Sequence, residues 1–510
     1  TYRFLKSITL WIVCLHEVIG GIMPHMDRKQ STERSTQNSD NSLPVIIQGG
    51  MGVGVSSWSL ARAVSMAGHL GVVSGTAVDV TFVRKLQHGD IGGHIRRGLS
   101  HFPIPGVAQR ILDRYFIDGG KSSEDPSKAK PVPSVKPSKG LQELLVASNF
   151  VEVFLARDGH NAPIGINYLE KIQLPTLPSI YGAMLAGVAY ILMGAGIPRA
   201  IPGVLDRFAK QRSAELRIDV KGADYDDIFT TSFDPNTFCE GNAPNLVRPD
   251  FIAIVSSSTL ATMLSRKASG KVNGFVIEGP TAGGHNAPPR GKIQLSANGE
   301  PLYGERDVPD LVKIKALGLP FWLAGSYAEP EHLAEAIRLG ATGVQIGTAF
   351  AYCEESGLDY ELKKRVMEMS LAGVAEIFTD PVASPTGFPF KVLQMENTNS
   401  DQAIYKQRSR ICDLGYLRHA YKKPNGKLGW RCPAEPVEDY IRKGGDVKDT
   451  VGRKCCCNGL MANIGYGQIQ RGGVLDNPLI TSGAAVPPLA TFFNSFASSY
   501  NSLLVFYYIF

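Results

Sequence analysis

One histidine stands in a setting that favours chemistry over packing. The stretch VIEGPTAGGHNAPPRG, residues 276–291, begins as an apolar strand and passes Glu278 before reaching Gly283, Gly284 and His285. Glycines let the backbone turn with positive φ and come close to another molecule. The prolines that follow remove donors and stiffen the exit. An imidazole, with an unperturbed pKa of ~6.5, can take or share a proton near neutrality. The bland alternative is a structural histidine capping a turn.

Two more stretches carry small polar residues where an anion could sit. LAGS (323–326) and QIGTAF (345–350) each end an apolar run in glycine followed by Ser or Thr. Gly325, Ser326, Gly347 and Thr348 could offer donors to a phosphate at the seventh and eighth strand ends of a barrel. Ordinary turns between strand and helix are the competing reading. The glycine-rich QGGMGVGVSS (48–57) lacks the GK[ST] ending of a P-loop, and its spacing is a poor GxGxxG. At a strand end, its glycines would let a flat ring lie against backbone. The late cysteines, Cys412, Cys432, Cys455, Cys456 and Cys457, could hold zinc or an iron–sulfur cluster as thiolates. No CxxC pair is present and the spacing fits no standard finger, so free thiols and no metal are expected. Cys353 reads as buried packing.

What must position these residues is a series of eight short apolar runs: PVIIQGG, LGVVSGT, PIGINYL, AYILMGAG, FIAIVSS, GFVIEGP, PFWLAGS and GVQIGTAF. Continuous apolar runs suit parallel strands buried on both faces. Most are followed by helix-like stretches. SWSLARAVSMAG and EPEHLAEAIRLG both show helical spacing and stop at glycine. Eight βα units predict an α/β protein with a (β/α)8 barrel, its site at the strand C-termini. An open doubly wound sheet is the alternative architecture.

The barrel is expected over residues 44–389, with an insertion at about 96–140 after the second unit. There DGGKSSEDPSKAKPVPSVKPSKG has the composition of a solvated linker. Residues 390–486 form an appended, cysteine-containing module, and 487–510 an atypical apolar tail without charge. Residues 1–43 read as a disordered leader, of which the first 25 are upstream of the working protein. With 44% apolar and 20% charged residues, the chain can bury a large core. A net charge of +6 over 510 residues leaves no nucleic-acid footprint. Eight cysteines are too few for a secreted disulfide scaffold, which points to the cytoplasm. The apolar residues 4–22 are broken by Lys6, His16 and Glu17, so no membrane span is expected.

Taken together, PVIIQGGMGVGVSSWSLARAVSMAGHLGVVSGT, PIGINYLEKIQLP, VIEGPTAGGHN and PFWLAGSYAEPEHLAEAIRLGATGVQIGTAFA resemble, in order, the signatures of the nitronate monooxygenase (2-nitropropane dioxygenase) family. The resemblance implies a TIM barrel binding FMN across the strand C-termini. It puts the cofactor's phosphate on Gly325, Ser326, Gly347 and Thr348, and its ring near Gly49, Gly50 and Met51. Asn167, Gln345, Gly283 and Gly284 would also contact the cofactor. His285 falls on the family's active-site histidine, which takes the acidic proton beside a nitro group or holds the nitronate. The implied substrates are a small nitronate and oxygen. TDPVASPTGFPFKV and CDLGYLRHAY are similar to a longer bacterial branch related to flavin-dependent enoyl reductases of polyunsaturated fatty acid and polyketide synthases. That branch implies an alternative set of partners, NAD(P)H and an acyl carrier protein.

Overall fold

Eight short strands account for the eight apolar runs. In the computed structural model, which describes residues 43–470, 473–492 and 499–510, they are β1 (Ile46–Gln48), β2 (Gly71–Ser74), β3 (Ile164–Leu169) and β4 (Tyr190–Gly194), followed by β5 (Asp250–Val255), β6 (Gly274–Glu278), β7 (Phe321–Ala324) and β8 (Gly343–Ile346). All pair in parallel in the order β1-β8-β7-β6-β5-β4-β3-β2. The ring closes between β1 and β2, where Gln48 N donates to Leu70 O at 2.9 Å and Leu70 N to Ile46 O at 3.0 Å. The Gln48 side chain reinforces the seam by accepting from Val72 N at 3.0 Å.

The runs are apolar throughout because both strand faces are buried. Ile47, Val72, Leu192, Ile252, Val276 and Trp322 fill the barrel lumen. Their neighbours Ile46, Val73, Ile191, Phe251, Phe275 and Phe321 face the other way into the larger core. Successive side chains on a strand point to opposite faces, so a closed parallel barrel draws apolar residues to both faces of its strands, with polar and glycine residues mainly at the strand ends. Trp322 satisfies its indole by donating to Pro44 O at 2.7 Å.

Helices α1 (Trp58–Met66), α2 (Val78–Gln87), α3 (Lys139–Arg157), α4 (Thr176–Leu185), α5 (Ile201–Ala209), α6 (Ser258–Lys267), α7 (Leu311–Lys315) and α8 (Pro330–Arg338) run between successive strands. α9 (Tyr360–Leu371) follows β8. α1 is capped by Ser57, whose hydroxyl accepts from Leu60 N, and the chain turns at Gly68 with φ +87°. The architecture is a (β/α)8 barrel with an insertion after the second unit and further chain after the barrel.

Two features depart from the sequence reading. The segment expected to be a solvated linker is held down. Gln87 and Gln468 each form two amide hydrogen bonds to backbone at residues 127–128, at 2.9–3.3 Å. Lys130 lies 2.6 Å from Asp79, with side chains 6% and 1% exposed. The amides satisfy backbone that water would otherwise solvate, and the ammonium neutralises a buried carboxylate. The second departure is an excursion between α5 and β5 that the sequence reading passed over. It carries an antiparallel pair, Ala214–Arg217 with Thr230–Phe233.

Beyond β8, β9 (Glu376–Asp380) pairs antiparallel with β10 (Phe390–Gln394), and β11 (His419–Lys422) with β12 (Leu428–Arg431). Near the C-terminus, a helix over Ser502–Ile509 puts Phe506 on His69 with ring centroids 4.3 Å apart. Pro44–Phe510 form one compact unit. Residues 1–42 of the expected leader lie outside the described residues. Among the described residues, no helix is long and apolar enough to cross a membrane.

Candidate active site

The strand C-termini open onto one cavity, and all twelve residues singled out from sequence line it. Gly49, Gly50 and Met51 come from the end of β1, and Asn167 from β3. Gly283, Gly284 and His285 lie in the loop after β6. Gly325 and Ser326 end β7, Gln345 lies in β8, and Gly347 and Thr348 follow it. Ala77, Ala195 and Ser326 line the same cavity with φ of +54°, +54° and +60°. That is three of the seven non-glycine residues with positive φ among the described residues. Such backbone strain tends to gather at functional sites.

The β1 loop is fixed by Ser56, whose hydroxyl donates to Gly49 O and accepts from Met51 N, both at 2.8 Å. Gly50 lies so close to β3 that a Cβ there would meet Asn167 Cβ at 2.3 Å. Asn167 donates to Gly50 O at 3.1 Å, while its Oδ1 is buried without a hydrogen-bond partner. Gln345 Oε1 is in the same state. Asn463, which lines the same cavity, adds a third with its Oδ1. Three orphaned amide acceptors around one cavity are uncommon in a finished interior and fit a ligand that brings N–H or O–H donors. Thr348 Oγ1 accepts from Gly483 N at 3.1 Å, which leaves its own proton free to donate.

The loop bearing His285 is tied to later chain. Gly284 N donates to Thr481 Oγ1 at 3.0 Å, Lys391 N to Gly284 O at 3.0 Å, and Asn286 N to Pro389 O at 2.9 Å. Gly283 needs to be glycine, because a Cβ would meet Gly483 N at 2.7 Å. The imidazole packs on Phe390, with centroids 4.6 Å apart. Its Nε2 lies 2.6 Å from the fully buried Ser384 Oγ, which sits 2.8 Å from Thr386 Oγ1. Arg453 holds this segment by donating to Ser384 O at 2.6 Å.

Electrostatics separate the roles. Burial, helped by the nearby Lys171 ammonium, pushes His285 well below its ordinary pKa, so the ring is neutral at pH 7. Burial brings Lys171 down to about 7 against the pull of Cys456, Glu278 and Glu170. Burial likewise raises Glu278 to about 7, with Lys171 opposing. Lys171 Nζ is buried without a hydrogen-bond partner and lies 4.5 Å from the Phe388 ring centroid.

Ser384, Lys171 and Glu278 escaped the sequence reading. Glu278 and Lys171 had a usable signal, as charges at or just past the ends of apolar runs. Ser384 had none. The five late cysteines do converge, lining one small pocket as free thiols. Among the described residues, no group of three or more His, Cys, Asp or Glu is arranged to hold a metal ion. Cys353 is fully buried, its thiol donating to Phe350 O at 3.1 Å.

Residues 203–388 match the sequence model of the nitronate monooxygenase family. This part of the chain is similar to that family. A 98-residue stretch is 36% identical to a probable nitronate monooxygenase of Bacillus subtilis, covering 19% of this chain and 26% of that protein. Over 145 residues the chain is 28% identical to an octahydroindene-carboxyl-CoA dehydrogenase of Mycobacterium tuberculosis, covering 28% of this chain and 36% of that protein. The chain thus spans about a quarter to a third of the curated relatives it matches. A nitroalkane oxidase structure from Streptomyces ansochromogenes aligns with 92% of this chain and 95% of its own, at 13% identity and a TM-score of 0.43. In this barrel, the cavity beside His285 is the place to look for chemistry.

Proposed function

We propose that the protein is an FMN-dependent oxidoreductase that converts alkyl nitronates with oxygen to a carbonyl compound and nitrite. The observation that carries this reading is a neutral imidazole beside a cavity lined by three residues with unpartnered amide acceptors. The amides of Asn167 and Gln345, which can both accept and donate, suit the polar edge of a flavin ring, where one N–H lies between two carbonyl oxygens, and Gly49 and Gly50 leave a flat surface beside it. Gly325, Ser326, Gly347 and Thr348 would hold the phosphate. Bound there, the flavin supplies the redox chemistry and the reaction with oxygen.

His285 works from Nδ1. When Nε2–H donates to Ser384 Oγ, and Ser384 passes its own proton toward Thr386, the Nδ1 lone pair is left for substrate. A neutral ring is a base and not a cationic anchor. The positive charge that favours a nitronate over its neutral acid comes from Lys171, whose influence reaches His285. The aromatic rings of Phe388 and Phe390 around the imidazole keep water from competing for its lone pair.

The test is nitrite release from propyl nitronate under air, beside anaerobic flavin reduction by nitronate and by NADPH offered separately. His285→Ala should retain flavin and lose about 100-fold in turnover of the neutral nitroalkane, whose α-proton a positioned general base must take, and lose less on preformed propyl nitronate. Protein that binds flavin, makes no nitrite, and oxidises NADPH only with a 2-enoyl thioester would replace this reading with the enoyl-reductase alternative.

A further inference from the structure

We propose that chain beyond residue 389 builds a specificity wall in this cavity, which seats the non-reacting part of the substrate as an unbranched apolar chain. The inference rests on the proposed reading of the site and names its substrate class more closely. The polar and glycine lining of the cavity comes from strand ends and from Asn463, Thr481, Ser482 and Gly483. Leu414, Leu417 and Leu460 join Leu169 and Ile172 from the β3 end to supply its apolar lobe.

The lobe adjoins the reacting centre. His285 packs on Phe390, and Phe390 belongs to a buried cluster against which Leu417 and Leu460 pack. Leu417 and Leu460 keep part of their surface open while lining the cavity. None of the five lobe side chains can pair with a charged substituent, so a charged tail would lose its hydration there without a partner.

The wall is also fixed in place. Tyr416, between Leu414 and Leu417, hydrogen-bonds through its hydroxyl to the buried Asp79 carboxylate. Asp79 is paired in turn with Lys130 from the insertion at 2.6 Å. Insertion and late chain thereby hold one surface from both sides, and the lobe meets a ligand with its shape already set.

The experiment uses flavin-loaded enzyme and n-alkyl nitronates from propyl to octyl. Anaerobic calorimetry reads binding, and nitrite release in air reads turnover. Each methylene seated should tighten binding about fourfold, the equivalent of about 0.8 kcal/mol, until the lobe is full. Leu460→Trp should erase the increment for the longer chains. Leu460→Ala should move the plateau to longer chains, and it remains informative if the Trp variant fails to fold. Binding that is absent or flat with chain length, or a length profile unchanged in both variants, overturns the wall. A length-dependent profile without nitrite keeps the wall and removes the nitronate activity. Nitrite with a flat profile does the reverse.

Discussion

Gly50→Ala tests the cofactor side of the site at a single atom. The added Cβ would sit 2.3 Å from Asn167 Cβ, with Val72 Cγ1 at 3.1 Å. Carbon atoms pack at ~3.5 Å or more, and no rotamer moves a Cβ, so the backbone at Gly50 or at Asn167 must give way by about 1.2 Å. Nothing about the Gly50 backbone forbids alanine, since its φ is not positive. Without ligand, the loop after β1 can relieve the contact by shifting its backbone toward the cavity, and the fold should survive. With a flavin in place that escape is closed, so overpacking of about 1–3 kcal/mol is felt in the complex. The ligand also loses a polar contact worth about 0.5–1.5 kcal/mol. The combined loss corresponds to a rise in FMN Kd of roughly 10-fold or more. Gly49→Ala is the matched control, because its Cβ would meet no atom closer than 3.4 Å, and its Kd should change several-fold less. Fluorescence titration of apoprotein with FMN gives both values, and thermal unfolding without FMN checks the fold. If Gly50→Ala binds FMN within threefold of wild type, or if the two alanines weaken binding equally, the placement of the ring against Gly50 and Asn167 is wrong.

Three other outcomes follow from the same geometry. Ser384→Ala removes the hydrogen bond that orients His285 Nε2 and should lower kcat about fivefold, the equivalent of ~1 kcal/mol, with flavin affinity retained; an unchanged kcat would show that the imidazole needs no such support. Lys171→Met removes the cation that lowers both His285 and Glu278. Glu278 should then titrate above its present value of about 7, and the acid limb of kcat/KM, set by His285 becoming protonated, should move to higher pH. A limb that stays put or moves down would remove Lys171 from the site's electrostatics. Lys130→Met strands the buried Asp79 carboxylate and should cost about 3–5 kcal/mol in urea unfolding; a cost under 1 kcal/mol would mean that Asp79 finds water or takes up a proton.

How much of this was legible in the sequence depends on how local each signal is. The barrel was readable because each apolar run reports its own burial on both faces, with no knowledge of its partners. That the residues proposed to hold the cofactor share one cavity was readable for a related reason. Gly49, Gly325, Gly347 and their neighbours sit at strand ends, and a closed barrel brings all strand ends to one mouth whatever lies between them. His285 belongs to the same class, since its loop advertises itself in one stretch. What stayed hidden depends on pairings across long separations. Ser384 meets His285 across 99 positions, and Tyr416 meets Asp79 across 337. A serine in ASPTG and a tyrosine in LGYLR carry no local mark of those partners. The linker misled for the opposite reason: its composition is that of solvated chain, and only the side chains of Gln87, Gln468 and Asp79, placed by other elements, make it pack. Barrel topology therefore determines where the reacting group and the cofactor cleft lie. The hydrogen bonds and ion pairs beyond the barrel determine how the imidazole is oriented and which wall the substrate meets. Substitutions that disturb strand ends should accordingly abolish flavin binding and activity together, whereas those in the late chain should alter substrate preference and pH dependence with flavin still bound.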